Sequence, residues 1–274
     1  LHCSIRVVNE KEFSFKKRTK VVCQIVKYAD PLEVRIIQVL GHPDDAGVDI
    51  SAMLTSNQVR QVFNGKIVKE CKRIPAKVQK DELENRKDLR NLLTVTIDGD
   101  DAKDFDDAIS IVKNEKGYLL YVHIADVSHY VKENSALDQE AYLRGNSIYV
   151  CDRVVPMLPF DLSNGICSLN PNVDRLTITC AMQVDERGNL LTYNVFPSVI
   201  HSDKRCTYKK VNACLAGDET ILEEYAEVKD LLFTLESLAK LLKKQSHNRG
   251  CIDFNTKEAK IIMDKNGYPV DVTD

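Results

Sequence analysis

The chain has 274 residues, of which 43% are hydrophobic and 29% charged, and a formal net charge of −3. That length can bury a sizeable core in one large domain or two smaller ones, and the composition excludes both a disordered chain and a small disulfide-stapled fold. No apolar run approaches the roughly 20 residues that span a bilayer, so no membrane partner is expected, while the near-neutral total leaves local basic patches open.

Residues 1–56 read as short strands. Segments 4–8, 21–26 and 33–39 are rich in β-branched residues, and Asp30, Pro31 and the stretch 41–45 punctuate them, which predicts a small barrel of the oligonucleotide-binding (OB) kind. Lys16, Lys17, Arg18 and Lys20 lie beside Phe13 and Phe15, a mixture that suits single-stranded nucleic acid and equally a solvated hairpin tip. Residues 57–92 are polar and helical in pattern and read as a connector. Lys66, Lys69, Lys72 and Arg73 share one face there, which serves solubility or phosphate contact.

From residue 93 a second domain begins, with strands expected over 93–97, 108–112 and 118–124 and a helix over 135–144. Two further strands, 175–184 and 190–196, are joined by a hairpin signal at 185–189. Apolar residues recur at helical spacing through 223–246. Nine cysteines form no CxxC pair and follow no signal-like start, so reduced thiols in the cytoplasm are expected.

The most informative stretch is 98–107, where six carboxylates fall within ten positions: Asp98, Asp100, Asp101, Asp104, Asp106 and Asp107. Carboxylates this close repel one another when partly buried, and protonation, solvation or a hard cation relieves them. Mg²⁺ takes oxygen ligands and keeps some waters, and two such ions about 4 Å apart are a standard device for phosphodiester hydrolysis. A solvated acidic loop is the ordinary alternative. Against it, Phe105 sits between the carboxylates and the run passes into the apolar stretch 108–112, so the segment reads as core backbone.

Residues 96–109, Thr-Ile-Asp-Gly-Asp-Asp-Ala-Lys-Asp-Phe-Asp-Asp-Ala-Ile, closely resemble the catalytic signature of the ribonuclease II and ribonuclease R family, whose catalytic module is the RNB domain. Blocks 123–131, 144–149, 155–159, 162–171 and 249–254 are similar to that family's, in its order. Residues 41–50 are similar to the second cold-shock domain of its ribonuclease R branch. The resemblance covers nearly the whole chain and implies an α+β fold. It assigns a small OB-fold cold-shock β-barrel to 1–56, a helical connector to 57–92 and the amino-terminal part of a mixed α/β RNB catalytic domain to 93–274.

The same resemblance implies a monomeric cytoplasmic exoribonuclease. It would degrade single-stranded RNA processively from the 3′ end to nucleoside 5′-monophosphates, with Mg²⁺, or Mn²⁺ as the alternative cation. By position Asp98, Asp104, Asp106 and Asp107 match the family's four aspartates. Asp98, Asp104 and Asp107 would hold metal, and Asp106 would sit beside the terminal ribose and phosphate. Asp100 and Asp101 fall outside that set. Tyr149 matches the aromatic that packs on the terminal nucleotide and sets end-product length, with Phe254 on the opposite face; core packing is the commoner role of a lone aromatic. Arg144, Arg153 and Arg249 lie in family blocks and could touch phosphate or equally pair with nearby carboxylates.

Other chemistries fit less well. His123, Asp126 and His129 suggest a metal set by spacing, but a strand running into a turn sends them in different directions, and Asp126 is expected instead to support the acidic site through a hydrogen bond or a water. No Cys or Ser has a recognisable His partner for nucleophilic catalysis. An EF-hand loop starting at Asp98 would need Glu at its twelfth place, where Ile109 stands. The family's catalytic domain also continues well beyond a point like residue 274. It has a later acid, a block resembling Ser-Pro-Ile-Arg-Arg-Tyr and a carboxy-terminal S1 domain, none of which appears here. With Leu1 rather than Met at the start, the chain is expected to be a fragment that exposes part of its core. A non-catalytic RNA-binding module is the second reading.

Overall fold

The computed structural model describes residues 4–252, 254 and 259–273. Cys3, Asp253 and the two terminal residues Leu1 and Asp274, which entered the reading above, lie outside the described residues. The chain forms two compact units. The first draws on 1–63, 144–157 and 255–274, and the second on 64–143 and 158–254. A linear division at 56 and 92 therefore gives way to an interleaved one, in which residues 57–63 belong with the first unit and 64–92 with the second.

In the first unit, β1 (Ile5–Val7), β2 (Lys20–Lys27) and β3 (Leu32–Gly41) form a three-stranded sheet in the order β1-β3-β2. β1 runs parallel to β3, and β2 antiparallel to it. The helix α1 (Val48–Ser56) follows, and Val34, Ile36, Val48 and Leu54 are buried. Asn9 substitutes for a strand neighbour: its amide donates to the Ile36 carbonyl at 3.0 Å and its side-chain oxygen accepts from the Ile36 N–H at 2.9 Å. This satisfies backbone groups that burial would otherwise leave unpaired. Later segments add two short antiparallel pairs, Ile148–Tyr149 with Val154–Val155 and Lys260–Met263 with Pro269–Thr273. The Tyr268 hydroxyl donates to the Asp44 carbonyl at 3.0 Å.

The second unit opens with α2 (Gly65–Cys71), whose first turn is capped by the Asn64 side chain accepting from the Lys66 and Ile67 N–H groups. The helix expected across 57–92 is reduced to these seven residues and a single 3-10 turn at Asp81–Leu83, with Pro75 interrupting the chain between them. A seven-stranded sheet follows. It contains β4 (Lys87–Asp88), β5 (Val95–Asp98), β6 (Asp107–Asn114) and β7 (Gly117–Ala125). After the short helix α3 (Val127–Tyr130) and α4 (Ala136–Arg144) come β8 (Asp174–Val184), β9 (Leu190–His201) and β10 (Lys204–Thr207). The strand order is β10-β5-β6-β7-β8-β9-β4, antiparallel within and parallel at both edge pairs. Gly117 makes the β6–β7 turn at φ +115°, where a Cβ would come within 2.4 Å of the Val184 carbonyl oxygen, so only glycine fits.

Three helices close the described unit: α5 (Tyr208–Leu215), α6 (Glu219–Glu224) and α7 (Lys229–Asn248). The helix expected over 223–246 begins at 229 instead, because the chain turns through 225–228 and buries Tyr225 and Val228. Leu231, Leu232 and Leu238 of α7 pack on Val95, Tyr118, Leu120 and Val184. Truncating a buried leucine of this kind to Ala costs about 2–5 kcal/mol. The opposite sheet face holds a second cluster of Leu89, Phe105, Ala108, Leu169 and Ile200. Ile124, Leu191, Tyr193 and Val195 are exposed although they share strand parity with the α7-covered face.

Candidate active site

The acidic stretch lies between two strands of the second unit. Asp98 is the last residue of β5 and Asp107 the first of β6, with irregular backbone between them. Phe105 explains why a segment so charged stays against the sheet. Its ring is buried among Leu89, Ala108, Leu169 and Ile200, which pulls the loop inward while Asp106 and Asp107 remain exposed. The loop's polar backbone is also paired. Phe105 N–H donates to the Ser168 hydroxyl at 3.0 Å, Leu169 N–H to the Phe105 carbonyl at 2.9 Å, and Ala125 N–H to the Asp106 carbonyl at 2.9 Å.

The electrostatics of this loop are strained. Burial pushes the Asp98 carboxyl above its ordinary value, Asp107 adds to the shift, Arg205 opposes it, and Asp104 and Asp106 contribute further. Asp106 is raised by the protein around its base and then by Asp104 and Asp107. One Asp98 oxygen, Oδ2, is buried with no hydrogen-bond partner. A buried carboxylate oxygen left in this state is costly, and a hard cation is the natural complement to it.

Among the described residues no three His, Cys, Asp or Glu side chains stand close enough to hold a metal unaided. Asp98, Asp104 and Asp107 therefore do not form a ready-made three-ligand cage here; Mg²⁺ is an ion commonly bound through one or two carboxylates, waters and substrate phosphates. The donor set, all hard oxygen, fits the same ion.

The remaining expected site residues are distributed between the two units. Tyr149 sits in the short hairpin of the first unit with 68% of its surface exposed, and Phe254 ends the second unit with 80% exposed, so neither is a core aromatic. Arg144 donates to the Pro156 carbonyl at 2.9 Å, and its guanidinium lies 3.8 Å from the Phe63 ring centroid. Arg153 pairs with Asp152 at 2.6 Å, and this hydrogen bond lifts its pKa, so the carboxylate alternative describes its state here. Lys66 and Lys69 are exposed on α2, with Lys72 and Arg73 just beyond it; Lys16, Lys17 and Arg18 are exposed in the turn before β2, and Lys20, half-buried, is the first residue of that strand.

His123, Asp126 and His129 diverge. His123 is fully buried, its Nδ1 2.7 Å from Thr179 Oγ1 and its Nε2 3.0 Å from Ser110 Oγ, and burial lowers its pKa to about 4. This histidine belongs to a chain of hydroxyls that crosses the sheet. Thr94 and Ser110 oxygens stand 2.7 Å apart, Thr179 and Ser198 2.5 Å, and Ser198 and Thr177 2.7 Å. Asp126 does not reach the acidic loop as expected. It pairs with buried Arg86 at 2.5 Å and accepts from Ser128 at 2.9 Å and from the His129 N–H at 3.2 Å. Burial opposes the Asp126 charge, but the Arg86 and Ser128 hydrogen bonds and the charges of Arg86 and His129 outweigh it, holding the carboxyl below its ordinary value. His129 turns its Nε2 toward Glu82 at 2.9 Å. The set is a structural ion-pair network.

Comparison with known proteins gives this geometry a family. The RNB domain model matches residues 86–274 and the cold shock domain model matches 1–64. Ribonuclease R of Thermotoga maritima is 48% identical over 264 residues, covering 94% of this chain and 37% of that protein. Ribonuclease R 1 of Lactococcus lactis is 43% identical, covering 97% of this chain and 34% of that protein. The structure of Mycoplasma genitalium RNase R in complex with ribose methylated single-stranded RNA superposes with a TM-score of 0.88 at 33% identity, over 99% of this chain and 43% of that one. The chain belongs to the RNB-domain family, with an OB-like cold-shock domain ahead of a mixed α/β RNB domain. It spans between 28% and 37% of the length of the curated relatives it matches.

Proposed function

We propose that the protein containing this chain is an exoribonuclease that hydrolyses single-stranded RNA from the 3′ end to nucleoside 5′-monophosphates with Mg²⁺, or Mn²⁺ in its place. The observation that carries this reading is the acidic loop at the end of β5. Its carboxylates repel one another, and Asp98 keeps a buried oxygen without a partner. Such a cluster adds nothing to the stability of a surface, whereas a cation-dependent phosphodiesterase needs one.

In this reading Asp98, Asp104 and Asp107 provide oxygen ligands, and a bound Mg²⁺ would supply Lewis acidity to the scissile phosphate and lower the pKa of the attacking water. Asp106, exposed where the loop enters β6, orients the terminal ribose and phosphate. Tyr149 and Phe254 present exposed rings suited to base stacking, which contributes about 1–3 kcal/mol per base without reading sequence. The RNA complex of the Mycoplasma relative and the family membership support RNA as the partner. A monomer acting in the cytoplasm completes the proposal. The eight described cysteines are all free, and no helix among the described residues is long and apolar enough to cross a membrane.

The test incubates a 5′-labelled single-stranded RNA with Mg²⁺ and either the intact protein or this chain, beside an EDTA control and an Asp106→Asn variant. A shortening ladder lost in both controls is expected of the intact protein. RNA retained on a gel with no shortening by the intact protein would instead leave a non-catalytic RNA-binding module.

A further inference from the structure

The loop that carries the four aspartates has no regular structure between Asp98 and Asp107. Two side chains from distant parts of the chain hold its path by gripping backbone atoms. Ser168 is fully buried, and its hydroxyl accepts from the Phe105 N–H at 3.0 Å while donating to the Lys103 carbonyl at 2.9 Å. Arg205 donates from one guanidinium nitrogen to the Gly99 carbonyl at 3.1 Å and the Asp100 carbonyl at 2.6 Å. Its guanidinium carbon lies 5.3 Å from the centroid of the Phe105 ring, so the two grips meet on one residue.

Both grips are anchored from behind. The Ser168 carbonyl receives Arg175 Nε at 2.7 Å, and the same buried guanidinium donates to the Gly165 carbonyl at 3.1 Å and the Asp174 carbonyl at 2.9 Å, tying the 165–168 segment to β8. Arg205 is fixed by the parallel pairing of β10 with β5, in which it stands opposite Thr96. The loop is thus fastened at Gly99–Asp100 and again at Lys103–Phe105, on either side of Ala102 and next to the carboxylates at 98, 104 and 106.

We infer that Ser168 and Arg205 are positioning residues: they clamp the backbone of the acidic loop at two points and so set the spacing at which its carboxylates receive a divalent cation. This rests on the reading of the loop as a cation site. Groups that orient ligands without touching the metal matter nearly as much as the ligands, because a small displacement of each oxygen weakens every bond to the ion. Lysine at 205 would keep the charge but lose the planar guanidinium whose carbon lies 5.3 Å from the Phe105 ring centroid and one of whose nitrogens reaches both carbonyls, so it separates geometry from charge.

Mn²⁺ binding to the chain, followed by electron paramagnetic resonance, tests the clamp directly. Ser168→Ala and Arg205→Lys are expected to weaken it by about tenfold or more, and in the intact protein kcat for RNA falls in proportion while KM changes by less than about twofold. Thr179→Val, which breaks the buried hydroxyl chain elsewhere in the same sheet, serves as the control for general destabilisation and is expected to keep its Mn²⁺ affinity. Unchanged affinity in both clamp variants, or an equal loss in the Thr179→Val control, overturns the inference. Weakened Mn²⁺ binding in a protein that does not cleave RNA upholds the clamp and rejects the exoribonuclease reading. RNA cleavage abolished by Asp106→Asn yet indifferent to both clamp variants does the reverse.

Discussion

Two polar regions of the same sheet are built on opposite terms. The hydroxyl chain from Thr94 through Ser110, His123 and Thr179 to Ser198 is buried, and every step in it is a hydrogen bond. The acidic loop a few residues away is charged, crowded with like charges and leaves a buried Asp98 oxygen unpaired. A satisfied buried network rigidifies a core, whereas an unsatisfied one stores free energy that a ligand can release. Polarity alone therefore does not mark the site. The state of its hydrogen-bond accounts does.

Three substitutions or titrations press on this contrast. The largest effect is expected from Arg86→Ala, which leaves the buried Asp126 carboxylate without its partner. Unfolding in urea should show a loss of about 3–5 kcal/mol, and a change below about 1 kcal/mol would place the pair among surface contacts.

Next is a titration of His123. Its ordinary pKa of 6.5 falls to about 4 in the folded chain, so between those values the unfolded state binds a proton that the folded state refuses. Stability is then full above pH 6.5 and declines as pH falls toward 4, by on the order of 3 kcal/mol. The difference in urea-derived stability between the unaltered chain and His123→Gln, measured across that window, should follow this slope; a difference that does not vary with pH would show that His123 is not buried as a neutral ring.

The smallest effect has the opposite sign. Asp106→Asn, the variant expected to abolish hydrolysis, should raise the melting temperature, since it removes a charge that Asp104 and Asp107 repel. The gain is about 1 kcal/mol, the energy of two unit charges 4 Å apart in water. A lower melting temperature would mean that Asp106 is satisfied in the fold, and the contrast between the two regions would lose its basis.

Much of this was legible in the sequence, and what escaped has physical reasons. The strands at 95–98, 107–114 and 117–125 and the hairpin of β8 and β9 follow from alternation and from the turn at 185–189, where the Asp185 carboxylate accepts from the Arg187 and Asn189 N–H groups. The acidic run was conspicuous for its density. Periodicity overextended two helices. The apolar spacing of 223–246 runs through Tyr225, whose burial beside Cys206 and Cys214 breaks the helix there. The polar pattern of 57–92 looked helical because charge is compatible with a helix without requiring one.

The clamp was missed for a different reason. Arg205 meets Gly99 across 106 positions and Ser168 meets Phe105 across 63, so no local pattern joins them. Ser168 at least lies in the family-like block 162–171, which offered a signal without a role. The hydroxyl chain is equally silent, because Thr94, Ser110 and Thr179 read as ordinary strand residues until the register sets them in line.

The interleaving of the two units has a consequence for how the chain is born. The second unit draws only on residues 64–143 and 158–254, while the first also needs the pair Lys260–Met263 and Pro269–Thr273. Synthesis runs from the amino terminus at about 5–20 residues per second, so the earliest residues to emerge belong to the unit whose last partners are made latest. Residues 1–63 are therefore made before the segments 144–157 and 255–274 that group with them.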